Sequence, residues 1–88
     1  MKIHDGFLLR EVAGNYIVMP VGAAAERLNG MIKLNETSAF LFRTLEKGTD
    51  EEGLTAALLA EYDVDADTAK RDVHTFLNTL RGAGVLDE

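Results

Sequence analysis

The hydrophobic pattern of this chain changes its period at Asn35. Up to that residue the apolar segments are short and rich in strand-forming residues, and turn signals separate them. Beyond it, apolar residues recur three and four positions apart, as they do on one face of an α-helix. Strands followed by helices, with short connections, favour an α+β domain in which a small antiparallel sheet packs against a three-helix bundle.

Three short strands are predicted before Asn35. They cover residues 7–12, 16–21 and 31–34. Gly14 and Asn15 tolerate positive φ and predict a tight hairpin turn between the first two strands. Residues 22–30 are interpreted as a loop that closes at the turn signal of Asn29 and Gly30. The third strand, Met31–Leu34, is too short for a central position, so we expect it at the edge of the sheet.

Three helices are predicted after it, each with its own start and stop signals. Asn35 is a good N-cap for the first helix, which Gly48 ends. The segment from Thr49 to Glu52 has the spacing of a capping box and predicts the start of the second helix. Asp65 caps the third helix, and residues 85–86 form an apolar tail that we expect to fold back onto the core. The apolar stripe of the third helix comprises Ala69, Val73, Phe76, Leu77 and Leu80.

The size and charge of the chain limit its organisation and its partners. A length of 88 residues allows one small domain, predicted over residues 1–88. No apolar run is long enough to span a bilayer, and the first residues lack the apolar segment of a signal peptide. We therefore expect a cytoplasmic protein without membrane contact. The formal net charge of −6 disfavours nucleic acid as a partner, because phosphate binding needs surplus Lys and Arg.

Side chains with catalytic or metal-binding chemistry are few. The absence of cysteine excludes thiolate metal sites, iron–sulfur ligation and a cysteine nucleophile. His4 and His74 have no metal-ligating side chain three or four residues away. The acids at positions 63, 65 and 67 resemble the start of an EF-hand loop, but Thr68 and His74 stand where that loop requires glycine and glutamate. With no nucleophile motif or phosphate loop, we expect a protein that is not an enzyme and holds no metal or cofactor.

One open hypothesis is a winged helix-turn-helix regulator that reads DNA with its third helix. A three-helix bundle with a small sheet is the relevant architecture. The charges of that helix argue against it, because its three cations are balanced by three acids. The cations are Lys70, Arg71 and Arg81, and the acids are Asp65, Asp67 and Asp72.

The second hypothesis is peptide capture by strand addition. An extended peptide can pair with an exposed sheet edge, where main-chain hydrogen bonds give affinity and nearby side chains give selectivity. Met31–Leu34 is the candidate edge. On a helical wheel, one flank of the third helix carries cations beside an apolar residue, and a peptide with mixed apolar and acidic side chains would suit it. This flank comprises Lys70, His74, Leu77 and Arg81.

The ordered combination of these elements resembles the PqqD-like family over roughly residues 7–86. The resemblance rests on Leu34-Asn35-Glu36-Thr37, an apolar helix that ends at Gly48, and a set of later positions. These later positions are Leu58, Tyr62, Val64-Asp65, Asp72-Val73, Phe76-Leu77, Leu80 and Gly84-Val85-Leu86.

The resemblance implies a winged-helix-like fold and a role as a recognition element for ribosomally made, post-translationally modified peptides. Such proteins bind the leader segment of a precursor peptide as an added strand, between the third strand and the third helix. They present it to a modifying enzyme, often a radical-SAM protein that carries its own iron–sulfur cluster. The edge would be Met31, Ile32, Lys33 and Leu34. The helix wall would be Lys70, Val73, His74, Leu77 and Arg81. An unpaired edge also allows self-pairing, so both a monomer and a homodimer remain open.

Overall fold

A computed structural model describes residues 1–22 and 31–88 of the chain. The predicted order of strands and then helices is confirmed, with one short strand added at each end. The strands are Lys2–Ile3 (β1), Phe7–Val12 (β2), Asn15–Pro20 (β3), Ile32–Leu34 (β4) and Leu86–Asp87 (β5). The helices are Glu36–Glu46 (α1), Glu51–Glu61 (α2) and Ala66–Ala83 (α3). Apart from Gly22, the predicted loop at 22–30, with its Asn29–Gly30 turn, lies outside the described residues.

The main sheet is antiparallel, with the strand order β2-β3-β4. Its hairpin turn is one residue earlier than predicted: Ala13 and Gly14 occupy the loop at φ 52° and 80°, and Asn15 already pairs with Val12. Two consecutive residues with positive φ match a type I′ turn, whose twist suits two-residue hairpins. Two strands are also shorter at one end than predicted. β3 ends at Pro20 rather than at residue 21, and Met31 precedes β4 instead of being its first residue.

The two ends of the described chain form a second, two-stranded sheet. Ile3 of β1 pairs with Leu86 of β5, and the N–H of His4 donates to the C=O of Val85 at 2.8 Å. This pairing holds the first residues of the chain against its last ones. The expected return of residues 85–86 to the core is confirmed, and Val85 is fully buried.

The three helices begin at short polar side chains that accept a hydrogen bond from the first turn. Asn35 accepts from the N–H of Ser38 at 2.8 Å and Asp65 from that of Thr68 at 2.7 Å, as predicted. In α2 the N-cap is Asp50, which accepts from the N–H of Gly53 at 2.7 Å. The prediction of Thr49 as the cap was therefore wrong by one residue. Both residue types are good caps, and local sequence does not separate them.

The core lies between the main sheet and the helices. Phe42 and Leu45 of α1 are fully buried there together with Val18 of β3. The guanidinium of Arg43 lies 5.5 Å from the centroid of the Tyr16 ring, which adds a cation–π contact between α1 and β3. This packing confirms the α+β, winged-helix-like fold. Within the described residues, no helix combines the length and the apolar character required to cross a membrane.

Candidate functional site

β4 lies at the edge of the main sheet, as its length predicted. One side of β4 pairs with β3, in the register Tyr16↔Leu34, Ile17↔Lys33 and Val18↔Ile32. Among residues 1–22 and 31–88, no strand pairs with its other side. This open side faces a cleft beside α3, so any segment that pairs with β4 would also contact the helix.

The hairpin geometry determines which main-chain groups of β4 point into the open side. In a hairpin with a two-residue loop, the residues that flank the loop form a hydrogen-bonded pair, here Val12 and Asn15. Hydrogen-bonded pairs alternate along an antiparallel ladder, so Tyr16 and Val18 direct their main-chain groups toward β4. Their partners on β4 bond back to β3. Lys33 lies between those partners and therefore directs both its N–H and its C=O away from β3.

The cleft between β4 and α3 has a volume of about 320 Å³ and combines an apolar floor with a polar rim. Leu34, Leu41 and Phe76 provide the apolar floor, and each of these side chains is more than nine-tenths buried. Main-chain groups of β4, the first turn of α1 and one flank of α3 form the rim. The polar residues around the cleft are Lys33, Asn35, Thr37, Ser38, Asp72, Thr75 and Thr79. We call this the β4–α3 cleft.

Three of the four predicted edge residues form β4, and Met31 precedes it. Ile32 is half-buried, Leu34 is buried and Lys33 between them is exposed, as the alternation of a strand requires. Lys33 and Leu34 line the β4–α3 cleft directly. Met31, immediately before β4, is 62% exposed and lines a shallow depression on the other side of the strand with Ile17 and Lys33.

None of the five predicted helix-wall residues lines the β4–α3 cleft. Val73 and Leu77 are fully buried in the core. Lys70 lines a surface that it shares with α2, and Nδ1 of His74 lies 3.4 Å from a carboxylate oxygen of Glu51 on the same side. The predicted wall and the α3 residues that line the β4–α3 cleft are therefore different faces of the helix, and the role of the predicted wall in binding stays a prediction.

The physical reason is that an amphipathic helix has two flanks beside its apolar stripe, and only one of them faces β4. At about 100° per residue, Lys70, His74 and Arg81 fall on one flank of the Phe76–Leu80 stripe. Asp72, Thr75 and Thr79 fall on the other. The second set was visible in the sequence as a polar row spaced three and four residues apart, but nothing local marked it as the side toward the sheet.

Arg81 is held by a different partner at the end of α3. Its Nε and Nη2 donate to the two carboxylate oxygens of Glu88 at 3.0 and 2.9 Å. This paired hydrogen bond raises the pKa of Arg81 and lowers that of Glu88. Because Glu88 neutralises the charge of Arg81, this residue is a poor candidate for binding an anionic ligand.

The described residues offer no candidate metal-binding site. Within the part of the chain that the structure describes, no three His, Asp or Glu side chains are grouped closely enough to hold an ion. The acids at 63, 65 and 67 are exposed, and Asp65 is used as an N-cap. The hydrogen bond from the N–H of Thr68 lowers the pKa of Asp65, which is the expected effect of an N-cap on a carboxylate.

Fold and site together define a small α+β domain, in which the edge strand β4 of a three-stranded sheet lies beside the last of three helices. The chain matches the family model of PqqD, described as coenzyme PQQ synthesis protein D, over residues 8–86. This match covers most of its length, and the chain belongs to the PqqD family. No curated protein matches it significantly.

Two solved structures share the fold. The chain is similar to TbiB1 in complex with the TbiA(beta) leader peptide, with 25% identity and a TM-score of 0.77, covering 99% of this chain and 95% of that one. It is also similar to lasso peptide synthetase B1 complexed with the leader peptide. There the identity is 19% and the TM-score 0.73, and the match covers 96% of this chain and 93% of that one.

Proposed function

We propose that this protein binds the leader segment of a ribosomal precursor peptide as a fourth strand of the main sheet, paired with β4. The observation that carries the proposal is the open side of β4. There Lys33 directs its N–H and its C=O toward the β4–α3 cleft.

Membership in the PqqD family supports this proposal, and so do the leader peptides in the two similar structures. The β4–α3 cleft supports the proposal independently. Strand addition requires free main-chain groups for affinity and side-chain surface for selectivity, and the cleft has both. Main-chain groups of β4 can bind any extended segment, whereas the pocket over Leu34, Leu41 and Phe76 can select particular side chains.

The helix wall in this proposal is Asp72, Thr75, Phe76 and Thr79 rather than the flank predicted from the sequence. Phe76 supplies apolar surface at the base of the cleft, and the Thr75 hydroxyl offers a donor and an acceptor at its rim. The Thr79 hydroxyl donates to the C=O of Thr75 at 3.1 Å and offers an acceptor. A bound segment would therefore bury alternate side chains against α3 while its backbone pairs with β4.

We propose further that the protein acts without catalysis and delivers the bound peptide to a modifying enzyme, such as a radical-SAM protein. The family supports an accessory role in biosynthesis. The iron–sulfur chemistry of such a step would belong to the partner, because this chain has no cysteine. The comparisons give no support to the alternative of a DNA-binding regulator.

Amide chemical shifts of the isotope-labelled protein test this proposal. The titrants are a synthetic leader segment of a ribosomal precursor peptide and, separately, duplex DNA. With the leader we expect shifts at 32–34 and at Asp72, Phe76 and Thr79. Shifts confined to the flank of Lys70 and His74 would refute the β4–α3 cleft as the site. Salt-sensitive shifts along α3 with DNA, and none with the leader, would favour the regulator.

A further inference from the structure

The face of the main sheet that points away from the helices carries positive charge on an acidic protein. Side chains alternate between the two faces of a strand, and the buried residues Phe7, Val18 and Leu34 identify the inner face. The opposite face, which we call the outer face, carries two cations and no carboxylate among the described strand residues. Its members are Leu8, Arg10, Val12, Asn15, Ile17, Met19 and Lys33.

The two cations lie in one row across the sheet. Arg10 of β2 pairs with Ile17 of β3, and Ile17 pairs with Lys33 of β4. No ion pair within the described residues uses Arg10 or Lys33. The row therefore ends, at the open edge of the sheet, in a lysine without a charged partner from the described chain.

A strand added to β4 would extend this row by one residue. Because Lys33 directs both main-chain groups outward, one peptide residue would exchange both hydrogen bonds with it in the antiparallel orientation that the rest of the sheet adopts. That residue would share the outer face with Lys33, about 5 Å away between Cβ atoms. Its two neighbours would point the other way, into the β4–α3 cleft.

The cleft itself favours apolar side chains. Its described lining holds one acid, Asp72, whose Oδ1 lies 3.9 Å from Nε of Arg71, and one cation, Lys33, whose side chain belongs to the outer face. The remaining described rim on α1 and α3 is made of hydroxyls and an amide, so it offers a carboxylate no cation over the apolar floor.

Given the proposed strand addition, we propose that the site selects leader segments with an acidic residue at the position paired with Lys33. The peptide residues immediately before and after that acid are apolar. The acid lies on the outer face beside Lys33, in the row that Arg10 and Ile17 begin, and the two apolar residues enter the cleft over Phe76.

Three short fluorescent peptides of the pattern Thr-Leu-X-Leu-Thr, with X as Glu, Gln or Lys, test the inference by fluorescence anisotropy at low ionic strength. We expect the Glu peptide to bind about three- to tenfold more tightly than the Lys peptide, with Gln between them, since cross-strand charge pairs have modest energies. High salt should reduce the difference. The variant Lys33→Glu should reverse the order, and Lys33→Gln should abolish the preference for Glu over Gln.

The matched control is Lys70→Glu, which makes the same charge change on an exposed residue outside the cleft and should keep the order. Equal binding of all three peptides, or binding of none at millimolar concentration, would overturn the inference. Amide shifts at 32–34 on addition of the precursor's leader segment, measured on the same sample, report separately on strand addition. If they persist while the charge order fails, only the inference is lost. If they are absent, the proposed function fails as well.

Discussion

Replacing Lys33 with proline should separate the main-chain part of peptide binding from the side-chain part. Proline removes the N–H that Lys33 directs toward the open side of β4, while the ladder to β3 uses the main-chain groups of Ile32 and Leu34. An edge strand tolerates proline where its N–H faces outward. We therefore expect Lys33→Pro to remain folded and to lose peptide affinity.

The size of the loss follows from one missing hydrogen bond. The peptide carbonyl that accepted from Lys33 would be left without a protein donor, at a cost of about 1–2 kcal/mol. This cost corresponds to roughly five- to thirtyfold weaker binding. Lys33→Ala is the matched control, because it removes the same charge and keeps the N–H. The relevant quantity is the ratio of the two dissociation constants, measured by calorimetry with the leader segment.

A second control places the proline one residue earlier. The N–H of Ile32 points to β3, so Ile32→Pro should break the protein's own ladder and lower the free energy of unfolding. If Lys33→Pro and Lys33→Ala bound the leader equally well, the assignment of the outward main-chain groups to Lys33 would be refuted. A lower urea midpoint for Lys33→Pro than for Ile32→Pro would refute it too.

Three further predictions concern stability, each measured by urea denaturation. Ala13 stands at φ 52°, which costs strain for any residue with a Cβ, so Ala13→Asn should stabilise the protein by about 0.5–1 kcal/mol; a loss would contradict the type I′ turn. Phe42 is fully buried, and Phe42→Ala should cost about 3–5 kcal/mol; a cost near zero would contradict its place in the core. The pKa of Asp65 is lowered by the N–H of Thr68, so its contribution is present above the unfolded pKa and is lost as pH falls through the folded one. Asp65→Asn keeps a good cap without the charge, and the fall in stability on acidification should be smaller than in the parent protein. An identical fall would contradict this role.

The order and type of the elements could be read from the sequence because their signals are local. A strand, a helix start and a helix stop each depend on a few neighbouring residues, as Asn35, Asp65 and Gly84 show. Errors of one residue arose where two neighbours compete for the same role. Thr49 and Asp50 are both good caps, and no local feature of the sequence separates them.

The pairing of β1 with β5 could not be predicted in the same way. These strands have two residues each and come from opposite ends of the chain, so neither has enough alternating residues to indicate a strand. Their pairing is a consequence of the helices, which bring Val85 and Leu86 back to the core beside Ile3.

The sequence by itself determined the fold class, the edge position of the strand that became β4 and the absence of cysteine chemistry, because composition and hydrophobic period depend on no distant contact. Only the tertiary structure decided which flank of α3 faces β4 and which main-chain groups point outward. The two flanks of an amphipathic helix are equivalent until the helix docks. The direction of an N–H in an edge strand depends on its register with the next strand, which the turn at Ala13 and Gly14 establishes.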